Sequence, residues 1–286
     1  MIDRRQFLTG TSAAAFFAAA HAFPAFPATR SARARRRAPK APAFHGAEDP
    51  RILSLYLRTA APLEELEDYY AGLLGLETER GELGVLTVHA GRTTITFRQT
   101  AAEGPAPAYH FAFNIPENKL FQAREWQLAR TPLLKRPPDA YSHSELEDVT
   151  DFWHWNAHSV FFEDPAGNLL EYIARHDLKN GETGPFASKD ILYASEIGFV
   201  AEDVPEFGKG LQAGTDLDLY YAGGDRFRAY GDPNGLLLVL QAGVARWSNQ
   251  RPWAVHSTAA QIRSARKGRF EAPHHPYEVG LNGSKR

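Results

Sequence analysis

The sequence predicts an α+β fold assembled from repeated βαβββ modules, and three observations lead there. Residues 51 to 99 run as strand, helix and three short β segments separated by Gly-containing turns. The same order restarts near Tyr109 and again near Tyr193. Two hairpins, Asp164-Pro-Ala-Gly-Asn168 leading into Leu169 to Ile173 and Asp232-Pro-Asn-Gly235 leading into Leu236 to Leu240, repeat one turn chemistry. In each, Asp initiates, Pro fixes φ and Gly accepts a positive φ. Recurrence of whole units marks an internal repeat, not a coincidence of turns.

In the first module Arg51 to Thr59 alternates apolar and polar residues as a strand. Pro62 then opens a helix with Leu63, Leu66, Tyr70, Leu73 and Leu74 at helical spacing, closed by Gly75. Short β runs follow at 78–83, 85–89 and 93–99. The second module predicts a strand over 109–115, a helix over 117–130, a long polar loop, and strands over 154–163 and 169–175. The third predicts a strand over 193–201, a helix over 204–212 and a hairpin over 227–240. Residues 253–282 are expected to form either a degenerate fourth module or an extension that closes the last sheet. The domain expectation is a signal over 1–28, a tether over 29–46, a first two-module domain over 47–180, and the third module with its companion over 190–286.

Arg4-Arg5-Gln6-Phe7-Leu8, an Ala/Phe stretch from Thr11 to Ala20 and small residues around Ala22 and Ala25 form a charged region, a short apolar segment and a cleavage site. This resembles a twin-arginine signal, an address read by the export machinery and not an anchor, so a periplasmic location is expected. Such export carries folded proteins, which the resemblance links to cofactors loaded before export. The Ala, Pro and Arg run from Pro24 to Pro42 has almost nothing to bury and reads as a disordered tether. Residues 1 to 44 hold eight basic residues against Asp3, a net of +7, so the overall −2 leaves −9 on the remainder. An acidic folded part argues against nucleic acid as a partner. Beyond the N-terminus no apolar run reaches the roughly 20 residues of a stable membrane span. Cys is absent, which excludes disulfides, iron–sulfur clusters and thiolate zinc sites. Any metal must use His and carboxylates.

Leu73-Leu-Gly-Leu-Glu77 after a Tyr-Tyr helix, and the strand-turn-strand from Val160 through Asp164-Pro-Ala-Gly167 to Glu171, resemble two signatures of the vicinal oxygen chelate superfamily. That superfamily comprises glyoxalase, bleomycin-resistance and extradiol dioxygenase proteins, and the resemblance spans about residues 51 to 241. It implies βαβββ modules forming cupped mixed sheets that hold a divalent metal, with ligands on the first and last strands of modules. Carried over one position at a time, it reaches Ser54 and Ile95 or Thr96 in the first module, His110 and Glu171 in the second, and Glu196 and Val239 in the third. Only the second module keeps both ligand types.

Strand geometry adds His158. With Asp164 to Gly167 read as a four-residue turn, Glu163 pairs with Asn168, Val160 lies opposite Glu171, and His158 shares the face of Glu171; a bulge in the turn would reverse this. The metal set expected is therefore His110, His158 and Glu171, two imidazoles and a carboxylate with open positions, which favours Fe(II) and also fits Mn(II) or Zn(II). His158 is the catalytic candidate as well, as a proton shuttle. Each residue has a plainer reading. His110 could be a core histidine bonded to a carbonyl. Glu171 could face water, because an unpaired buried carboxylate costs several kcal/mol. His158 could pack or touch substrate, and Glu196, alone in its module, could be a surface or salt-bridged residue. Thr131 to Asn156 is long for a structureless loop and carries Tyr141, His143, Trp153, His154 and Trp155, so it reads as an aromatic lid or as a loop packed on the sheet.

The resemblance implies an exported metal-dependent enzyme of the extradiol dioxygenase type, an oxidoreductase acting on a small vicinal-oxygen or aromatic compound. The same scaffold supports lyases and isomerases of the glyoxalase type, and metal-free small-molecule binding of the bleomycin-resistance type; fold alone does not choose. A scaffold role through the Arg-rich tether is a third reading, and a homodimer is allowed.

Overall fold

The computed structural model describes residues 51–82, 84–101, 105–137, 142–246 and 251–283. The signal and tether expected over 1–46, and Tyr141, lie outside the described residues. Among the described residues no helix is long and apolar enough to cross a membrane.

The first module comprises β1 (Ile52–Thr59), α1 (Leu63–Glu67), β2 (Glu77–Gly81), β3 (Val85–Ala90) and β4 (Thr93–Gln99). Beyond α1 the helix continues as a π-helical turn over Asp68–Leu73, where the Leu74 N–H donates to the Tyr69 carbonyl at 3.0 Å. The wider turn rotates the helical face. Tyr69, Tyr70 and Leu74 are buried in consequence, whereas Leu73, expected on the buried face, is 42% exposed.

The second module comprises β5 (His110–Ile115), α2 (Leu120–Leu128), β6 (Thr150–Phe152), β7 (Ala157–Glu163) and β8 (Leu169–Arg175). The third comprises β9 (Tyr193–Ala201), α3 (Val204–Gly214), β10 (Leu219–Ala222), β11 (Phe227–Asp232) and β12 (Gly235–Gln241). Asp203 caps α3 by accepting the Glu206 N–H at 2.9 Å. The tail forms β13 (Thr258–Ile262), β14 (Lys267–Glu271) and β15 (Tyr277–Asn282). β13 runs parallel to β15 as β1 does to β4, and β14 pairs antiparallel with β15. The tail is thus a fourth module reduced to strands.

In each module the first strand lies parallel to the last and leaves its other edge open to pairing. β1 closes that edge with β13, and β5 closes it with β9. The result is a seven-stranded sheet ordered β14-β15-β13-β1-β4-β3-β2 and an eight-stranded sheet ordered β10-β11-β12-β9-β5-β8-β7-β6. Outer modules pair with each other and inner modules with each other, so the spans 47–180 and 190–286 each contribute to both sheets. The tail completes the first module's sheet, not the last one.

Two buried contacts fasten the sheets. The Arg51 guanidinium, just ahead of β1, meets Asp232 at the end of β11, with Nε donating to Oδ2 at 2.6 Å and the two side chains 10% and 7% exposed. The Tyr277 hydroxyl on β15 donates to the Val200 carbonyl at 2.7 Å and accepts the Val200 N–H at 3.0 Å. Asp232→Ala leaves a buried guanidinium unpaired and should cost about 3–5 kcal/mol in urea unfolding. Arg51→Met combined with Asp232→Leu should recover much of that loss, and equal destabilisation by both variants would show that the charge pair is not what matters there.

Candidate metal centre

The turn between β7 and β8 sets which side chains share a face. Glu163 pairs with Leu169, not with Asn168, so five residues form the turn. Asp164 Oδ1 accepts the N–H groups of Ala166 at 2.9 Å and Asn168 at 3.0 Å, and Gly167 takes a φ of +76°. The Tyr70 hydroxyl donates to Asp164 Oδ2 at 2.7 Å, and Asn168 Oδ1 accepts the Tyr109 N–H at 2.9 Å. One extra turn residue shifts the register by one and turns the later side chains over. Phe161, not Val160, therefore opposes Glu171, and His158, opposite Ala174, lies on the other face. The expected ligand set of His110, His158 and Glu171 is corrected accordingly, and His158 is not placed to shuttle protons in the cup.

What joins His110 and Glu171 instead is Glu196. Glu171 lies beside Ala112, two residues along β5 from His110, and Ala112 also pairs with Glu196 across the β5–β9 seam. His110 Nε2 is 3.5 Å from Glu171 Oε2 and 3.6 Å from Glu196 Oε2, and all three side chains are buried. Their ligand atoms lie within 4.8 Å of one another. His110 Nδ1 is 3.1 Å from the Leu169 carbonyl, which can only accept, so Nδ1 carries a proton and Nε2 is the ring nitrogen turned to both carboxylates. Three potential ligand atoms then converge at one buried point. Glu171 Oε1 is also buried, with the Ser159 hydroxyl on the neighbouring strand the one side-chain donor that bears on it and no hydrogen bond of good geometry formed. Burial first, and the charge of Glu196 second, push the Glu171 carboxyl well above the usual carboxylate range. One imidazole and two carboxylates converging at a buried point fit a divalent cation.

Glu196 is held from behind. Its Oε1 pairs with the buried Arg175 guanidinium. Arg175 Nε donates to Asn114 Oδ1 at 3.1 Å, Asn114 Nδ2 donates to the Tyr193 hydroxyl at 3.1 Å, and that hydroxyl donates to Asn234 Oδ1 at 2.7 Å. A register shift beside Ala112 puts a bulge at Ser195, which lets Glu196 and Tyr193 face the same side although three residues apart. The salt-bridged reading of Glu196 fits this arrangement and the surface reading does not. Sequence reasoning passed over Arg175 and Asn114; the signal was a charged or amide residue at the end of an otherwise apolar strand. On β12 the position equivalent to Glu171 is Leu238, not Val239, because Leu236 pairs with Glu196 as Leu169 pairs with His110. An apolar fourth position leaves a three-ligand set.

The concave face above these residues is packed with Trp155, Phe161, Phe227, Leu240 and Trp253, with Phe152, Tyr220 and Tyr221 against them. Trp155, from the 131–156 segment, also lies 5.5 Å from the Arg175 guanidinium. Trp155 therefore covers the cup, whereas Trp153 is 51% exposed. A void of about 10 Å³ reaches His110 between Leu240, Trp253 and His256.

No family model and no curated protein sequence matches the chain. Its fold is similar to that of a Bacillus subtilis protein provisionally named a dioxygenase, with a TM-score of 0.53 and 16% identity over 83% of this chain and 87% of that one. A variant of glyoxalase I from Zea mays is similar with a TM-score of 0.49 and 11% identity, over 82% of this chain and 93% of that one. At such identity the first likeness shows the fold alone: the α+β, cupped mixed-sheet fold of the glyoxalase, bleomycin-resistance and dioxygenase proteins.

Because Glu171 keeps its proton to unusually high pH, a cation bound there must displace it. Divalent-ion affinity should rise about tenfold per pH unit below the raised Glu171 pKa and level off above it. Calorimetry in two buffers of different ionisation enthalpy counts the released proton. A pH-independent affinity with no proton release would contradict this account of Glu171.

Proposed function

We propose that the chain is an exported, metal-dependent enzyme of the vicinal oxygen chelate kind, most simply a dioxygenase acting on a small compound with two adjacent oxygens, carried on an aromatic ring. The observation behind this reading is the convergence of His110 Nε2, Glu171 Oε2 and Glu196 Oε2 at one buried point of the cup. One imidazole with two carboxylates is a harder donor set than the two imidazoles first expected, and it suits Fe(II) or Mn(II) better than Zn(II). When bound, such a metal would supply Lewis acidity toward paired substrate oxygens and, as iron, access to O2 chemistry.

The remaining work falls to the chain. Arg175 and Asn114 hold Glu196 so that one oxygen stays on the His110 side. Glu171 and Glu196 with Arg175 carry a net charge of −1 when both carboxyls are ionised, and a divalent ion brings that to +1, which one anionic substrate oxygen would neutralise. Trp155, Phe161 and Phe227 exclude water and offer flat apolar surface to a ring. Substrate entry requires the Trp155 segment to move. A glyoxalase-type lyase or isomerase would use the same groups without oxygen.

Metal-free small-molecule binding is the second reading, favoured by one observation. Arg175 is an internal cation, and with a proton on Glu171 the group is neutral without a metal. Metal analysis by inductively coupled plasma mass spectrometry of protein purified without chelator separates the two. About one equivalent of iron or manganese, lost in His110→Ala and Glu171→Ala and reduced in Glu196→Ala, is the expected result. A well-folded wild type that holds neither metal and resists reconstitution would remove the enzyme reading. Oxygen uptake with catechols then separates dioxygenase from lyase.

A further inference from the structure

On the face opposite the cup, four neighbouring strands of the eight-stranded sheet end in a row of ionisable side chains. In spatial order these are Asp151 on β6, His158 on β7, His176 just past β8 and Glu117 just past β5. Asp151 and His158 are direct cross-strand partners. The His176 N–H donates to the Asn156 carbonyl at 2.9 Å, which carries the β7–β8 ladder one step further and sets His176 diagonally beside His158.

The links alternate. Asp151 Oδ1 is 3.8 Å from His158 Nε2, His158 Nδ1 is 2.8 Å from His176 Nε2, and His176 Nδ1 is 3.2 Å from Glu117 Oε2. Each imidazole thus turns its outer nitrogen to a carboxylate and its inner nitrogen to the other ring. At His176 the Glu117 carboxylate hydrogen-bonds the outer nitrogen, the arrangement that supports ligating histidines, while Asp151 stands behind His158 as a charge partner without a hydrogen bond. Two imidazole nitrogens bound at about 2.0–2.1 Å to one ion stand roughly 3 Å apart, so the present N···N separation of 2.8 Å suits co-ligation once the rings turn their lone pairs from each other toward a point off the line that joins them. The rings are 36% and 30% exposed, open enough for an ion to enter and keep water ligands.

We propose that His158 Nδ1 and His176 Nε2 form a second metal site, selective for ions that prefer imidazole, Zn(II) or Cu(II), with Asp151 and Glu117 as the carboxylate partners of the two ligands. Binding of an ion there breaks the hydrogen bond between the two rings. His143 Nδ1 lies 2.5 Å from Asp151 Oδ2 and completes the surroundings. Nothing in this site depends on the cup, because the register puts the two sets on opposite faces.

The test uses the full chain carrying His110→Ala and Glu171→Ala, which removes the cup site. Equilibrium dialysis should find one equivalent of Zn(II), and Cu(II) should show electron paramagnetic coupling to two nitrogens. Adding His158→Ala or His176→Ala should abolish both signals, and Asp151→Asn should weaken Zn(II) binding about 10–100-fold. Should the background variant not fold, the wild type beside His158→Ala gives the same answer as a loss of one Zn(II) equivalent with iron or manganese unchanged. Absence of Zn(II) and Cu(II) binding, or binding indifferent to His158 and His176, overturns the proposal and leaves a hydrogen-bonded pair of rings. Loss of iron or manganese in the His110 and Glu171 variants is read separately, so either site can fail alone.

Discussion

The pairing of β5 with β9 is the constraint on which the site depends. His110 and Glu171 come from one module and Glu196 from the next, and only this seam puts them on one face within reach of a single ion. A slip of one residue along the seam would turn Glu196 away from His110. Cross-seam polar bonds oppose such a slip: Arg175 from β8 holds Glu196, and Asn114 on β5 holds the Tyr193 hydroxyl on β9. The same side chains that position the site therefore also lock the register that creates it.

Charge explains why the arrangement is hard to read as packing. Replacing a buried ion pair with apolar residues of similar volume is often neutral or stabilising by about 1–4 kcal/mol. The cup holds one such pair, Arg175 with Glu196, and in addition a second carboxylate with one oxygen that forms no hydrogen bond of good geometry. Desolvation raises its pKa, so the metal-free protein avoids the charge by keeping a proton on Glu171. A site that stores a proton where a cation can displace it is responsive in a way that a leucine at 171 is not. Leu238 shows the contrast within the same sheet, since the equivalent position of the next module is apolar and buried.

The modules were legible because their signals are local. Period-two alternation, Pro62 and Gly75 around a helix, and the positions of two Asp-Pro-x-Gly turns need no knowledge of distant contacts, although only Gly167 takes the positive φ expected of both, Gly235 pairing with Asp232 as the first residue of β12. Register was not legible, for the opposite reason. The five-residue turn is held by Asp164 and Asn168 bonded to Tyr70 and Tyr109, partners 94 and 59 residues away in sequence. The π-helical turn that exposes Leu73 breaks a spacing argument that assumes 3.6 residues per turn. Pairing of outer with outer and inner with inner modules likewise follows from which strand edges remain open, not from chain order. Of the residues that converge in the cup, module position reaches His110 and Glu171, whereas Glu196 gives no local sign of its guanidinium partner, which lies 21 residues upstream.

One extra residue in the β7–β8 turn thus decides the chemistry of two faces. A four-residue turn would have put His158 into the cup and left Asp151, His176 and Glu117 without their central imidazole. With five, the cup keeps one histidine and two carboxylates, a set suited to harder ions, while the opposite face gains an imidazole pair suited to softer ones. The two faces also share a segment. β6 carries Asp151 behind the sheet and leads within three residues to Trp155 over the cup.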